Sequence, residues 1–259
     1  MPFADLAHGR VYYRFDGPSD APVLMLSNSL GTSFDMWAPQ MQALAANHRV
    51  LRYDTRGHGR SAVTPGPYTI ERLGRDVLAL LDALGLDRVR FCGLSMGGMI
   101  GQWLGVNAPE RVPRLALANT AAKIGTADLW NARIGTVEKG GMAAIVDGVL
   151  ARWYTPAFIA AAPEAIAGTR AMLLATPADG YTACCAAVRD MDQRDAVASI
   201  RVPTLVIAGA HDEATSPADG RFLAGRITGA RYVELPAAHL SNVEKPQAFN
   251  AALTDFLTH

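Results

Sequence analysis

Along most of the chain, short apolar runs alternate with longer segments in which apolar residues recur every three or four positions. The apolar runs have the length of strands and are bounded by turn-forming residues. The predicted strands cover residues 11–15, 23–27, 49–54, 88–94, 112–118, 204–208 and 231–235. Strands that alternate with helices in this way predict an α/β fold, with a mostly parallel central sheet flanked by helices.

The helical segments between these strands carry boundary signals of their own. Thr69 is placed to cap a helix with one apolar face, and Gly85 would end that helix. A second helix is predicted directly after Ser95, through about Asn107 and closed by Pro109. A last amphipathic helix carries Phe249, Leu253, Phe256 and Leu257 on one face.

The pattern changes between residues 121 and 199. Strand runs vanish there, and short helical pieces are separated by Gly140-Gly141, Pro156, Pro163 and Pro177. The sequence therefore predicts a core formed by residues 1–120 and 200–259, with a helical insertion at 121–199. Helices inserted in this way are typical of a lid over a site, and we call residues 121–199 the lid.

Composition narrows the possible partners and the compartment. The 259 residues include 24 Lys and Arg against 24 Asp and Glu, a balance that disfavours nucleic acid or an anionic membrane as a partner. The first ten residues lack the pattern of a secretory signal, and no apolar stretch approaches the roughly 20 residues of a membrane helix. Three cysteines, two of them adjacent, do not form a disulfide framework. We therefore expect a cytoplasmic protein with reduced thiols.

Chemistry is indicated first by the segment Gly93-Leu94-Ser95-Met96-Gly97, which lies between a predicted strand and a predicted helix. A sharp strand-to-helix turn would expose the Ser95 hydroxyl, and only small residues fit on either side of it. The helix N-terminus behind the turn favours developing negative charge. A Gly-rich turn with an incidental serine is the alternative, but the flanking strand and helix favour a nucleophile.

A serine nucleophile requires donors for the oxyanion that forms when it attacks a carbonyl. One backbone N–H should come from Met96, directly after the nucleophile. The other should come from the turn that follows strand 23–27, where we choose Leu30.

A serine hydroxyl also needs a general base, and an acid that orients the base. With this elbow the acid and then the histidine follow the serine in the chain, which leaves only His211, His239 and His259 of the six histidines. His259 is terminal, and His239 lies in a loop between a predicted strand and the last helix, so His239 is the predicted base. The predicted acid is Asp212, after strand 204–208, with Glu213 and Asp219 as weaker alternatives.

These motifs together resemble the α/β-hydrolase superfamily over essentially the whole chain. More narrowly, the sequence is similar to the 3-oxoadipate enol-lactonases of bacterial aromatic catabolism. The segments that carry this narrower resemblance are residues 26–32, 129–133, 180–185, 189–192 and 239–244.

The resemblance implies hydrolysis of an enol-lactone that bears a carboxymethyl group, through an acyl-enzyme on Ser95 and without a metal or organic cofactor. The histidines also lack a zinc-type spacing. The small anionic substrate would need a cationic partner. We favour Arg133, with Trp130 and Trp153 as apolar walls; the other lid candidates are Arg152, Arg170, Arg189 and Arg194.

Three other functions remain open at this point. A general carboxylesterase or a carbon–carbon bond hydrolase would use the same serine, acid and histidine. A non-catalytic ligand receptor could also be built on this fold, although an intact set of catalytic side chains argues against it.

Overall fold

The computed structural model describes residues 3–7 and 9–258. Within these residues the strands are β1 (Phe3–Leu6), β2 (Gly9–Asp16), β3 (Val23–Ser27), β4 (Arg49–Tyr53), β5 (Arg90–Leu94), β6 (Leu115–Ala118), β7 (Thr204–Gly209) and β8 (Arg231–Leu235). They form one eight-stranded sheet in the order β1-β2-β4-β3-β5-β6-β7-β8. Pairings of β2 with β1 and with β4 are antiparallel, and all other pairings are parallel. The predicted α/β fold with a mostly parallel sheet is confirmed.

Helices follow the strands and cover the sheet. In the core they are α1 (Met41–Leu44), α2 (Ile70–Ala83), α3 (Met96–Asn107), α9 (Pro217–Arg226), α10 (Ser241–Glu244) and α11 (Pro246–Thr258). Between β6 and β7 lie α4 (Ala127–Gly140), α5 (Val146–Trp153), α6 (Pro156–Ala161), α7 (Pro163–Ala175) and α8 (Ala178–Asp190). These five helices occupy the segment for which the sequence predicts a lid. Short 3-10 helices cover Phe34–Gln40, Pro109–Arg111, Met142–Ala144 and Ala196–Ser199.

Helix α2 shows how local sequence sets an element and its packing. The Thr69 side chain accepts a hydrogen bond from the Arg72 N–H, so the predicted cap is confirmed, and Gly85 follows the last turn with φ of 65°. The apolar face of the helix is buried against the core at Leu73, Val77, Leu80 and Leu81. Burial of each such side chain stabilises the fold by about 1.5–3 kcal/mol.

Parallel pairing brings the carboxyl ends of the central strands to one edge of the sheet. Ser27 of β3 pairs with Gly93 of β5, and Gly209 of β7 pairs with Leu235 of β8. The loops after β3, β5, β7 and β8 therefore leave the sheet at the same edge. Ligands of open α/β sheets bind outside this edge.

No helix in the part of the chain described here combines the length and the apolar character needed to cross a bilayer.

Candidate active site

Ser95 lies directly after β5, at the point where the chain turns into α3. Its backbone has φ of 58° and ψ of −117°, a left-handed conformation that costs a non-glycine residue about 1–3 kcal/mol. Glycines permit the turn: a Cβ on Gly93 would lie 2.0 Å from the Gly97 carbonyl oxygen, and one on Gly97 would lie 2.2 Å from that of Ser27. This is the strained strand-to-helix turn that the sequence predicts.

Three hydrogen bonds hold the backbone on either side of this turn. The Ser95 N–H donates to the Ala118 carbonyl at 2.9 Å, and the Ser95 carbonyl accepts from Thr120 Oγ1 at 2.8 Å. The Gly97 N–H donates to the Asn28 carbonyl at 3.0 Å. The intervening Met96 N–H is therefore fixed in direction, although it is not itself bonded.

His239 and Asp212 form a buried pair at the same edge of the sheet. The distance from His239 Nδ1 to Asp212 Oδ2 is 2.9 Å. Asp212 Oδ2 also accepts from Thr215 Oγ1 and Asn119 Nδ2, while Oδ1 accepts from the Ala214 and Thr215 N–H groups. Burial raises the pKa of Asp212, but the charge and hydrogen bond of His239 and the other donors outweigh it, so the pKa lies below its ordinary value. An ionised Asp212 holds the proton on Nδ1 and leaves His239 Nε2 as the basic nitrogen.

The structure places the rival residues away from this pair. Glu213 is exposed and makes no hydrogen bond or ion pair with His239, although it lies at the cavity. The Asp219 side chain accepts from the N–H and hydroxyl of Ser216 and so caps α9. His211 is exposed in the turn after β7, and His259 lies outside the described residues.

Asn119 is a site residue that sequence reasoning missed. Its Nδ2 donates to Asp212 Oδ2 at 2.9 Å and to the Ala238 carbonyl at 3.2 Å, and its Oδ1 accepts from Ser241 Oγ at 2.5 Å. Asn119 thus ties the acid to the loop that carries His239. The available signal was its position as the first polar residue after the apolar strand β6, at the same edge as the other site residues.

The turn after β3, residues 29–31, holds the other predicted oxyanion donor, and we call it the oxyanion turn. The Ser29 N–H donates to Met36 Sδ at 3.3 Å, and the Ser29 carbonyl accepts from Thr32 Oγ1 at 2.8 Å. Because the Ser29 carbonyl and the Leu30 N–H point in opposite directions from one peptide plane, the Thr32 contact also fixes the direction of the Leu30 N–H.

The two peptide groups that flank Gly31 in the oxyanion turn are each held by a side chain. The Gly31 N–H donates to His58 Nε2 at 2.8 Å, and the Gly31 carbonyl accepts from Thr176 Oγ1 of the lid at 3.0 Å. Burial lowers the pKa of His58 to about 4, partly opposed by the hydrogen bond of its Nδ1 to the Arg56 carbonyl. His58 is therefore neutral near pH 7 and can accept through Nε2. Neither His58 nor Thr176 was identified from the sequence.

Two backbone N–H groups of the site remain unpaired. Among the residues that the structure describes, the Leu30 and Met96 N–H groups have no hydrogen-bond partner, while the N–H groups of Ser29, Gly31, Ser95 and Gly97 are all bonded. An unpaired buried N–H is uncommon in proteins. The two predicted donors are thus the ones left free to bind an oxyanion.

The lid also contacts the loop that carries His239. The Leu240 N–H donates to the Trp153 carbonyl at 3.1 Å, and the Trp153 ring lies 5.8 Å from the His239 ring. Buried Glu244 joins both sides, because it accepts from Thr155 Oγ1 at 2.5 Å and from the Ala238 N–H at 3.0 Å. Lid residues therefore support both the histidine loop and the oxyanion turn.

Between the lid and the sheet edge lies a cavity of about 350 Å³. Ser95 and His239 line its floor together with Ser29 and Leu30 of the oxyanion turn. The lid contributes the predicted substrate-binding residues Trp130, Arg133 and Trp153, as well as Arg152 and Tyr181. In the described part of the chain, no three His, Cys, Asp or Glu side chains are grouped so that they could hold a metal ion.

The arginines of the lid divide into two groups. Arg133 Nη1 donates to the Tyr181 hydroxyl at 3.3 Å and its guanidinium lies 5.4 Å from the Trp130 ring centroid, but no carboxylate pairs with it within the described residues. Arg152 likewise has no acidic partner there. The remaining lid arginines pair with Asp147, Asp190 and Asp192, at 2.5 Å for Arg170, 2.7 Å for Arg189 and 2.6 Å for Arg194. The unpaired arginines are thus the two that line the cavity.

The sheet order, the elbow after β5 and the loops after β7 and β8 define the class of the protein as an α/β hydrolase. A family profile described as the alpha/beta hydrolase fold matches residues 22–140. The chain is 46% identical to 3-oxoadipate enol-lactonase 2 of Acinetobacter baylyi, over 93% of this chain and 90% of the relative. 3-Oxoadipate enol-lactonase 1 of the same organism is 42% identical, over 94% and 91%.

Solved structures agree with these relatives. The crystal structure of the enol-lactonase from Burkholderia xenovorans LB400 matches with a TM-score of 0.98 and 48% identity, over 100% of both chains. The chain belongs to the α/β-hydrolase superfamily and, within it, to the 3-oxoadipate enol-lactonase family. The resemblance seen in the sequence is confirmed.

Proposed function

We propose that this protein hydrolyses 3-oxoadipate enol-lactone to 3-oxoadipate, a step of the β-ketoadipate pathway of aromatic catabolism. The observation that carries the proposal is an unpaired Arg133 in the same cavity as Ser95 and His239, in a chain similar to enol-lactonases. The cavity thus offers a nucleophile for the ring carbonyl and a cation for the carboxymethyl group.

In the first half of the proposed reaction, Ser95 Oγ attacks the lactone carbonyl while His239 Nε2 takes its proton. Asp212, ionised and hydrogen-bonded to Nδ1, stabilises the resulting imidazolium. Collapse of the tetrahedral intermediate breaks the ring carbon–oxygen bond, and His239 returns the proton to the departing oxygen. The ring opens to an acyl-enzyme that carries an enol, which tautomerises to the ketone and so opposes reclosure.

In the second half, His239 Nε2 takes a proton from water, and the hydroxide adds to the acyl carbon. The second tetrahedral intermediate collapses, Ser95 Oγ regains a proton from His239, and the new carboxylic acid leaves and gives its proton to solvent. Both intermediates place negative charge on the former carbonyl oxygen. We assign the Leu30 and Met96 N–H groups as its donors, because both are fixed by their neighbours and left unpaired.

Substrate recognition is assigned to Arg133, with Trp130 and Trp153 as the apolar walls. The Tyr181 hydroxyl and the Trp130 ring orient the Arg133 guanidinium without neutralising it. A carboxylate that enters the cavity therefore meets an unpaired cation rather than displacing an acidic side chain. Arg152, also unpaired at the cavity, is the second candidate for this contact.

A general carboxylesterase or a carbon–carbon bond hydrolase would use the same Ser95, Asp212 and His239. An esterase that acts on neutral esters does not need an unpaired cation in the cavity, and this difference favours the anionic lactone over a neutral ester. A receptor without turnover would need neither an ionised acid against His239 nor free oxyanion donors.

The free cysteines also support the cytoplasm as the place of action. Cys92, Cys184 and Cys185 are all buried and unbridged. Adjacent reduced thiols persist in a reducing compartment such as the cytoplasm, and we propose that the protein binds its small-molecule substrate there.

The test compares kcat/KM for 3-oxoadipate enol-lactone with kcat/KM for a neutral activated ester such as p-nitrophenyl acetate, both followed by absorbance. We expect the lactone to be strongly preferred. We expect Ser95→Ala and His239→Ala to lose on the order of a thousandfold or more in kcat on both compounds. Preference for the neutral ester would instead favour a general carboxylesterase.

A further inference from the structure

One buried hydroxyl in the cavity has no partner. Ser29 is 1% exposed and lines the cavity beside Leu30, yet its Oγ makes no hydrogen bond to any described residue. It is the only unpaired buried side-chain oxygen, among the described residues, that belongs to the cavity lining. A buried hydroxyl without a partner costs about 1–3 kcal/mol, so its persistence at this position calls for a ligand.

The rest of Ser29 is fully engaged. Its N–H is held by Met36 Sδ and its carbonyl by Thr32, so the hydroxyl is the one polar group of this residue that remains available. Ser27, two positions earlier, provides a contrast, because its Oγ lies 2.8 Å from the Tyr53 hydroxyl and serves the packing of the core.

Ser29 directly precedes Leu30, whose free N–H is the assigned oxyanion donor on this side of the cavity. A hydroxyl rotates about its carbon–oxygen bond and can aim its proton at an acceptor that appears during the reaction. In the described structure, hydrogen bonds hold the backbone of the oxyanion turn on both sides of Leu30, so the Ser29 side chain starts from a fixed point next to the Leu30 N–H.

We propose that Ser29 is a further catalytic residue, whose hydroxyl donates a hydrogen bond to the oxygen that becomes negative when Ser95 attacks the carbonyl. This inference rests on the proposed acyl transfer through Ser95. The Ser29 proton is shared and not transferred, so the number of protons in each step is unchanged. The hydroxyl gains most when the oxygen is charged, and for that reason it acts on kcat more than on substrate binding.

The experiment measures kcat and KM of Ser29→Ala for both the enol-lactone and p-nitrophenyl acetate. A charged hydrogen bond of this kind predicts a loss of about tenfold to a hundredfold in kcat with little change in KM. The loss should be similar for the two compounds, since acylation and deacylation of either pass through the same oxyanion.

Ser27→Ala is the matched control, with the same change in a buried serine of the same segment. It leaves the buried Tyr53 hydroxyl with one partner fewer and should lower the midpoint of urea unfolding while kcat stays near wild type. Ser29→Ala should show the reverse. Its unfolding midpoint should be unchanged or higher, because the hydroxyl that it loses is unpaired in the folded protein, while its kcat should be lower.

Full kcat in Ser29→Ala on both compounds would overturn the proposal. A loss confined to the lactone would also overturn it, because the hydroxyl would then act on the departing ring oxygen. A loss of kcat that runs parallel to a loss of stability would assign Ser29 a structural role. If wild type hydrolyses only the neutral ester, the lactone proposal fails, while the role of Ser29 is still decided on the ester.

Discussion

Replacement of Arg133 by alanine tests whether this residue binds the carboxylate of the substrate. The variant removes the guanidinium and leaves Ser95, His239 and both oxyanion donors in place. A neutral ester and the carboxymethyl lactone present the same kind of carbonyl to Ser95, and they differ by a charge several bonds away. We therefore expect Arg133→Ala to act on the anionic lactone far more than on the neutral ester.

The structure sets the size of this effect. Arg133 has no acidic partner within the described residues, so no internal ion pair has to be broken when a carboxylate binds. A hydrogen bond between charged groups contributes about 1.5–3 kcal/mol, which corresponds to a change in kcat/KM of about tenfold to a hundredfold. Because Arg133 is half-buried, screening by water moves the expectation toward the lower end of this range.

The assay compares kcat/KM for the lactone and for p-nitrophenyl acetate in wild type, Arg133→Ala, Arg133→Lys and Arg170→Ala. Lysine should restore only part of the loss, because an ammonium cannot form the paired contacts of a guanidinium. Arg170 is the matched control, since it is a lid arginine that is paired with Asp147 and does not line the cavity. It should leave both substrates unaffected.

The neutral ester decides between two roles of Arg133. Arg133 contacts the Tyr181 hydroxyl, and the Tyr181 ring is so close to the oxyanion turn that a Cβ on Gly31 would lie 3.1 Å from it. If the two substrates lose activity equally, Arg133 supports this packing and does not bind the carboxylate. If neither substrate is affected, the recognition role moves to Arg152.

Three further predictions follow from the contacts around the site. Asp212→Asn should lower kcat by about a thousandfold or more, because His239 Nδ1 loses its ionised acceptor. Asp219→Asn should only weaken the cap of α9, by about 1 kcal/mol in urea unfolding. A similarly large loss of kcat in Asp219→Asn would show that the acid is misassigned. Asn119→Ala should lower kcat about tenfold with KM unchanged, because one charged hydrogen bond to Asp212 is lost, and unchanged kcat would limit Asn119 to a packing role. In the folded protein, burial lowers the pKa of His58 from 6.5 to about 4. Between pH 6.5 and pH 4 the His58 ring is therefore protonated in the unfolded chain but not in the folded one. Wild type should lose about 3 kcal/mol of unfolding free energy over this range through His58. In urea unfolding, the free energy of unfolding of His58→Gln should fall less than that of wild type between pH 6.5 and pH 4. An equal fall in the two proteins would contradict this account.

Much of the fold could be predicted because buried parallel strands are continuous apolar runs. β3 and β8 were predicted with their observed bounds. The strand predicted over 112–118 begins only at Leu115, because Pro109–Arg111 forms a 3-10 turn and Pro113 cannot donate to the ladder. The edge strand β1 was missed, since its four residues, of which one is buried and one exposed, carry too short a pattern.

The 3-10 helix Phe34–Gln40 was missed as well, and Pro39 within it hides the usual helical period. Ser95 and His239, which we propose act directly on the substrate, could be identified from the sequence by residue type and position. Residues that act through hydrogen bonds to other residues could not. Nothing in the sequence near Gly31 shows that His58 and Thr176 will hold its peptide groups, because those contacts exist only once the chain is folded.

The contacts between the lid and the two catalytic loops bear on how new specificities can arise in this family. Thr176 reaches Gly31, and Thr155 shares Glu244 with the loop that carries His239. Insertions or exchanges that remodel the lid therefore also act on the geometry of bond cleavage. A lid transplanted from a relative would confer its own selectivity without loss of kcat only if it kept the contacts made by Thr176 and Thr155. Substrate range and turnover can therefore change together when the lid is remodelled, because the same segment lines the cavity and holds both loops.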